Sequence, residues 1–170
     1  MEGYYKNGLL PADPKLLDNL ARDYFEKSPR ITQETLNCAV KVLEEQHRSG
    51  KIYFSLDDRI LPRRDFLKYG SEYLAVIAHK LKRMTGEDCP ALLKTIGIPT
   101  VFVCDLPISN VATSSVHNLS GKLLECLFEE YVRLQEEVTE VDFTFPISIK
   151  LPPSMIVSHY HPQVTEHGDK

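Results

Sequence analysis

The sequence predicts an α+β fold, on three observations. Stretches with helical apolar spacing come first, and short strand-like runs then alternate with further helical stretches. Several of the strand-like runs switch apolar and polar residues at a period of two, the pattern of small sheets with one covered face. A chain of 170 residues, 42% hydrophobic and 26% charged, is long enough to bury one core and too short for a second full domain. We therefore expect one globular domain over residues 1–158, with mixed or mainly antiparallel small sheets flanked by four or five helices. A polar tail, 159–170, follows.

Gly8-Leu9-Leu10-Pro11 reads as a turn, and Asp13-Pro14 then supplies an N-cap and a first-turn proline. Leu16, Leu17, Leu20 and Tyr24 give the first helix one apolar side, ending at Ser28-Pro29. Thr32 starts a second helix through Leu36, Ala39, Val40 and Leu43, closed by Ser49-Gly50. In the strand Lys51 to Leu56, the aliphatic Ile52 and Leu56 alternate with Tyr53 and Ser55, which share the opposite face. A third helix runs from beyond Pro62 to about Met84 with Phe66, Tyr69, Tyr73, Leu74, Ile77, Ala78 and Leu81 on its apolar side.

Asp88 and Pro90 open a short helix carrying Leu92, Leu93 and Ile96. Ile98 to Cys104 is nearly continuous in β-branched and aromatic residues, which predicts a strand covered on both faces. Ile108 to Leu119 reads as a connection, and Ser120 as the cap of the next helix. There Leu123, Leu124, Leu127, Phe128, Tyr131, Leu134 and Val138 form the clearest amphipathic stripe in the chain. Val141, Phe143 and Phe145 alternate as another strand, continued past Pro146 by Ile147, Ile149 and Leu151, with Met155-Ile156-Val157 as a last short one.

The formal net charge is -4, and the basic residues are scattered rather than gathered into a stripe, which disfavours a nucleic-acid partner. No run approaches the roughly 20 apolar residues that cross a bilayer, so no membrane association is expected. The four cysteines, Cys38, Cys89, Cys104 and Cys126, are widely spaced in apolar surroundings, which predicts buried free thiols and a cytoplasmic setting, in the source cell or in a host. Glycine-rich phosphate loops, HExxH, GxSxG and EF-hand signatures are absent.

Two groups of residues remain as candidates for chemistry. His159 and His161 stand at the i, i+2 spacing that shares one face of a strand and suits a metal, but no Cys or carboxylate completes a ligand set, so no metal is expected. Tyr69-Gly70-Ser71-Glu72-Tyr73 places a glycine inside a helical pattern, at a cost of about 1 kcal/mol against alanine. Gly70 either lets something approach closely or lets the helix pack on a sheet.

The series Gly8-Leu9-Leu10-Pro11, Tyr53-Phe54-Ser55, Gly70-Ser71-Glu72-Tyr73, Ile98 to Cys104 and Leu151-Pro152-Pro153-Ser154-Met155-Ile156 resembles the ADP-ribosyltransferase-like superfamily in the order of its short motifs. That superfamily includes toxins, DNA-modifying enzymes and RNA 2'-phosphotransferases. The resemblance implies an NAD-using transferase acting on a protein or nucleic-acid acceptor. It further implies catalytic roles for Tyr53, Ser55, Glu72 and Glu140, and cofactor contacts from Tyr53, Ser55, Tyr69, Gly70 and Ser71. Glu137, like Glu140, lies just before the strand Val141 to Phe145. The family's first motif, a His or Arg on a strand before the GLLP turn, has no counterpart in Met1 to Asn7, which implies a degenerate or truncated member. The alternative is a non-catalytic interaction protein, such as a toxin partner, effector or regulatory module. It would use the helix Leu123 to Val138 or the connection Ile108 to Leu119 as its contact surface.

Overall fold

A computed structural model describes residues 2–41, 50–133 and 140–163. In chain order its elements are α1 (Glu2–Asn7), α2 (Pro14–Phe25), α3 (Gln33–Lys41), β1 (Ile52–Ser55), α4 (Asp65–Tyr69), α5 (Glu72–Thr85), α6 (Cys89–Lys94), β2 (Val101–Cys104), α7 (Thr113–Arg133), β3 (Thr144–Ile147) and β4 (Ile156–Tyr160). The fold is α+β. Its described residues form two compact units, each made of three chain segments, so no single cut in the sequence separates them.

The helical unit comprises Ala12–Gly50, Arg63–Val101 and Tyr160–Lys170. Asp13 caps α2 by accepting from the Lys15 backbone N–H, with Pro14 at the first helical position. Asp88 caps α6 in the same way, through the Ala91 N–H. The apolar faces of α2, α3, α5 and α6 converge on Phe25, Leu36, Ile77, Leu81, Cys89 and Leu93, all fully buried. Full burial of each large side chain contributes roughly 1.5–3 kcal/mol. The expected single helix from Pro62 to Met84 is two helices. Gly70 caps α4 at φ 82°, and Ser71 restarts the chain as the N-cap of α5, accepting from the Leu74 N–H. The expected second helix is described from Gln33 to Lys41, and its continuation through Leu43 to Ser49 lies outside the described residues.

The sheet unit comprises Met1–Pro11, Lys51–Pro62 and Phe102–His159. β1 and β3 pair antiparallel, with Tyr53 opposite Pro146 and Phe54 opposite Phe145. β2 pairs with β4 in a second two-stranded sheet. The Asp105 N–H donates to the Met155 carbonyl beyond one end of that pair, and Pro99 meets His161 beyond the other, so it too runs antiparallel. In two-stranded sheets every strand is an edge, which is why Pro146 sits within β3 at no cost to a central ladder. Phe145, Ile147, Leu151 and Ile156 form the buried core, with Leu9, Ile52, Phe54, Phe102 and Met155 packed on it. Leu9 bridges Leu151 through paired backbone hydrogen bonds of 2.9 Å, which joins the GLLP turn to the start of the PPSMI segment.

Several expectations differ in detail. The strand expected at Ile98 begins at Val101, and Val103 is exposed rather than covered. β4 is longer than the expected Met155–Val157 and takes in His159 and Tyr160, the first residues expected in the tail. The connection expected at Ile108–Leu119 becomes helix at Thr113, well before Ser120. A short helix, α1, precedes the GLLP turn, where no element was expected.

Candidate functional site

Tyr53 and Ser55 stand on β1, one exposed and one half-buried. The Ser55 hydroxyl donates to the Asp57 carbonyl at 2.9 Å, which holds the turn leaving the strand. Asp57 is the focus of this junction and was not singled out by sequence, because a lone Asp in a mixed-charge turn has no motif around it. Only 9% exposed, its carboxylate accepts from the Arg59 side chain, the Arg59 N–H at 3.1 Å and the Val141 N–H at 3.0 Å. The Arg59 side-chain hydrogen bond holds the Asp57 carboxyl well below the usual carboxylate range; burial opposes the shift, and the Val141 N–H adds to it. Glu140 lies exposed beside Val141, and its charge helps raise the Arg59 pKa, behind the Asp57 hydrogen bond and charge. Tyr53, Ser55 and Glu140 therefore belong to one unit.

Tyr69, Gly70, Ser71 and Glu72 belong to the other, and each has a local task there. Tyr69 packs on the helical core and meets His79 edge-on at 5.7 Å. Gly70 and Ser71 form the α4–α5 break described above. Glu72 is the first residue of α5, where a carboxylate complements the helix dipole. Glu137 lies outside the described residues. Of the residues that the resemblance assigns to an NAD cleft, Ser55 is engaged in a strand-end turn, Gly70 and Ser71 in a helix break and Glu72 in the first turn of a helix, while Tyr53 stands exposed on its strand.

The two candidate histidines hold different partners. His159 Nδ1 meets the Tyr5 hydroxyl at 2.7 Å, whereas His161 Nδ1 lies 3.1 Å from the Pro99 carbonyl and 3.2 Å from the Thr100 hydroxyl. Among the described residues, no three His, Cys, Asp or Glu side chains stand together as a metal site. All four cysteines are free thiols; Cys89 and Cys126 are buried, Cys104 is half-buried and Cys38 is exposed. Burial, then the neighbouring Glu87 charge, pushes the Cys89 thiol up to about 11, and burial also raises Cys104, so both stay protonated and unreactive near neutral pH. A cavity of about 340 Å³ lined by Asp105, Leu106, Pro107, Ser154 and Met155 contains none of the candidate residues.

Among the described residues, α7 has an exposed face that no local task accounts for. Its Leu124, Phe128 and Tyr131 side chains are 67%, 66% and 83% exposed, and Leu127 and Val132 are exposed with them. At about 100° per residue, these five fall within one sector about 140° wide. Leu119 and the buried Cys126 lie on a different side of the helix, and the half-buried Val116 falls just past the Leu127 edge of the sector. Among the described residues, none from α7 belongs to either core cluster. Single exposed apolar residues are ordinary, whereas a contiguous row of large ones on one helix face is not. Among the described residues no helix is long and apolar enough to cross a membrane. Compared with protein-family models, with curated proteins and with solved structures, the chain matches none.

Proposed function

We propose that this chain is a non-catalytic interaction protein whose contact surface is the exposed apolar face of α7. The observation that carries the reading is the exposure of Leu124, Phe128 and Tyr131 at i, i+4 and i+7. That spacing is how an amphipathic helix anchors a partner. Large aromatic and aliphatic side chains at such positions supply most of the binding energy at helical interfaces. The local tasks of Ser55, Gly70 and Ser71 support the reading from the other side, since they leave those residues explained without a substrate.

A Leu124→Asp, Phe128→Asp double variant tests it in the cells that make the protein. The variant folds, because neither residue belongs to a core, and loses the partner and phenotype of the wild-type chain. A Tyr53→Ala, Glu140→Ala variant keeps both. The reverse pattern, or release of nicotinamide from NAD that disappears with Tyr53→Ala, would replace this reading with the transferase that the sequence resembles.

A further inference from the structure

We infer that the partner of α7 is a basic amphipathic helix rather than a second copy of this chain. The inference rests on the contact-surface reading above and concerns what flanks that surface. By position on the helix, Glu125 and Glu129 border the edge of the apolar sector next to Val132, and Glu130 lies beyond the opposite edge. The basic positions, Lys122 and Arg133, fall on the far side of the helix, beyond Glu125 and Glu129. Lys122 reaches back to Glu125 at 3.2 Å, an exposed i, i+3 pair of the kind that exchanges readily for a better-placed partner.

The row from Leu124 to Val132 spans about 12 Å at about 1.5 Å per residue, the length over which a partner helix inserts two or three anchors. A second copy laid antiparallel on this face would set the Glu125 and Glu129 edge against the same edge of its mate, and like charges so placed select against the pairing. A helix with Leu or Ile at helical spacing and Lys or Arg along its edges meets the apolar row and the acidic borders together. The chain's net charge of -4 favours the encounter in the same direction.

The test uses the full chain and two synthetic amphipathic helices with identical leucine anchors, one edged with Lys and Arg, the other with Glu. Binding is read by fluorescence anisotropy. The basic helix is expected to bind about tenfold more tightly at low salt, the size of effect that two or three rim pairs produce. The gap should shrink to about threefold or less at about 1 M salt, where charges are screened beyond about 3 Å, and likewise in a Glu125→Gln, Glu129→Gln variant with an unchanged circular dichroism spectrum. Leu124→Asp, Phe128→Asp should abolish binding of both peptides. Equal binding of the two peptides would overturn the basic-partner inference and leave the contact surface standing. Binding that survives the Leu124→Asp, Phe128→Asp change, or no binding by either peptide, would overturn both. Sedimentation showing a dimer that Phe128→Asp dissolves would replace the basic partner with a second copy.

Discussion

Asp57 ties the end of β1 to the segment that leads into β3, because its one carboxylate collects the Arg59 side chain and two backbone N–H groups. Its folded-state pKa lies below the unfolded value. The stability it contributes is therefore present above the ordinary aspartate value of about 3.9 and lost as pH falls below it. We expect Asp57→Asn to lower stability at neutral pH by about 1.5–3 kcal/mol, the range for hydrogen bonds to a charged group. The gap between variant and wild type should narrow on acidification, followed by urea unfolding at several pH values. A gap that widens would contradict this account of the residue. Gly8 and Gly70 make a second test at this scale. Both have positive φ, but a Cβ on Gly8 would sit 2.0 Å from the Leu151 carbonyl oxygen, whereas one on Gly70 meets nothing within 4 Å. Gly70→Ala should cost about 1 kcal/mol of backbone strain. Gly8→Ala should cost at least twice that and loosen the Leu9–Leu151 bridge.

At the scale of elements, α5 and α7 look alike in sequence and differ in what they do. Both carry long apolar stripes, but Ile77 and Leu81 of α5 are fully buried while Leu124 and Tyr131 of α7 stand in solvent. Periodicity reports that a face is apolar and says nothing of whether this chain or another one covers it. That is why the sequence located the stripe and offered it only as one of two alternative contact surfaces. We predict that Leu81→Ala lowers the free energy of unfolding by about 2–5 kcal/mol, whereas Leu124→Ala changes it by less than about 0.5 kcal/mol. Denaturant midpoints of the two variants check this. The caps at Asp13 and Asp88 were legible because capping chemistry is local to a few residues. The break between α4 and α5 was not, although Gly70-Ser71 carries it: a glycine cap followed by a serine N-cap has the same spacing of apolar residues on both sides as one continuous helix.

At the scale of the molecule, the α+β class followed from the order of periodic stretches, whereas the division into two units did not. Each unit gathers three segments that are distant in sequence, and the pairings that gather them, such as Leu9 with Leu151, have no sequence signature of their own. The candidate residues read from Tyr53 to Glu72 are near neighbours along the chain and fall in different units. Proximity in sequence made them look like one site. Ser55, Gly70, Ser71 and Glu72 each have a local task, and the helical face of α7 has none.

A photocrosslinking phenylalanine analogue at position 131 of the full chain, activated in the cells that make it, tests that conclusion most directly. The account predicts a covalent product with another polypeptide, formed at position 131 and not when the same analogue replaces the exposed Thr144 on β3. Equal yields at the two positions, or no product at position 131, would contradict it.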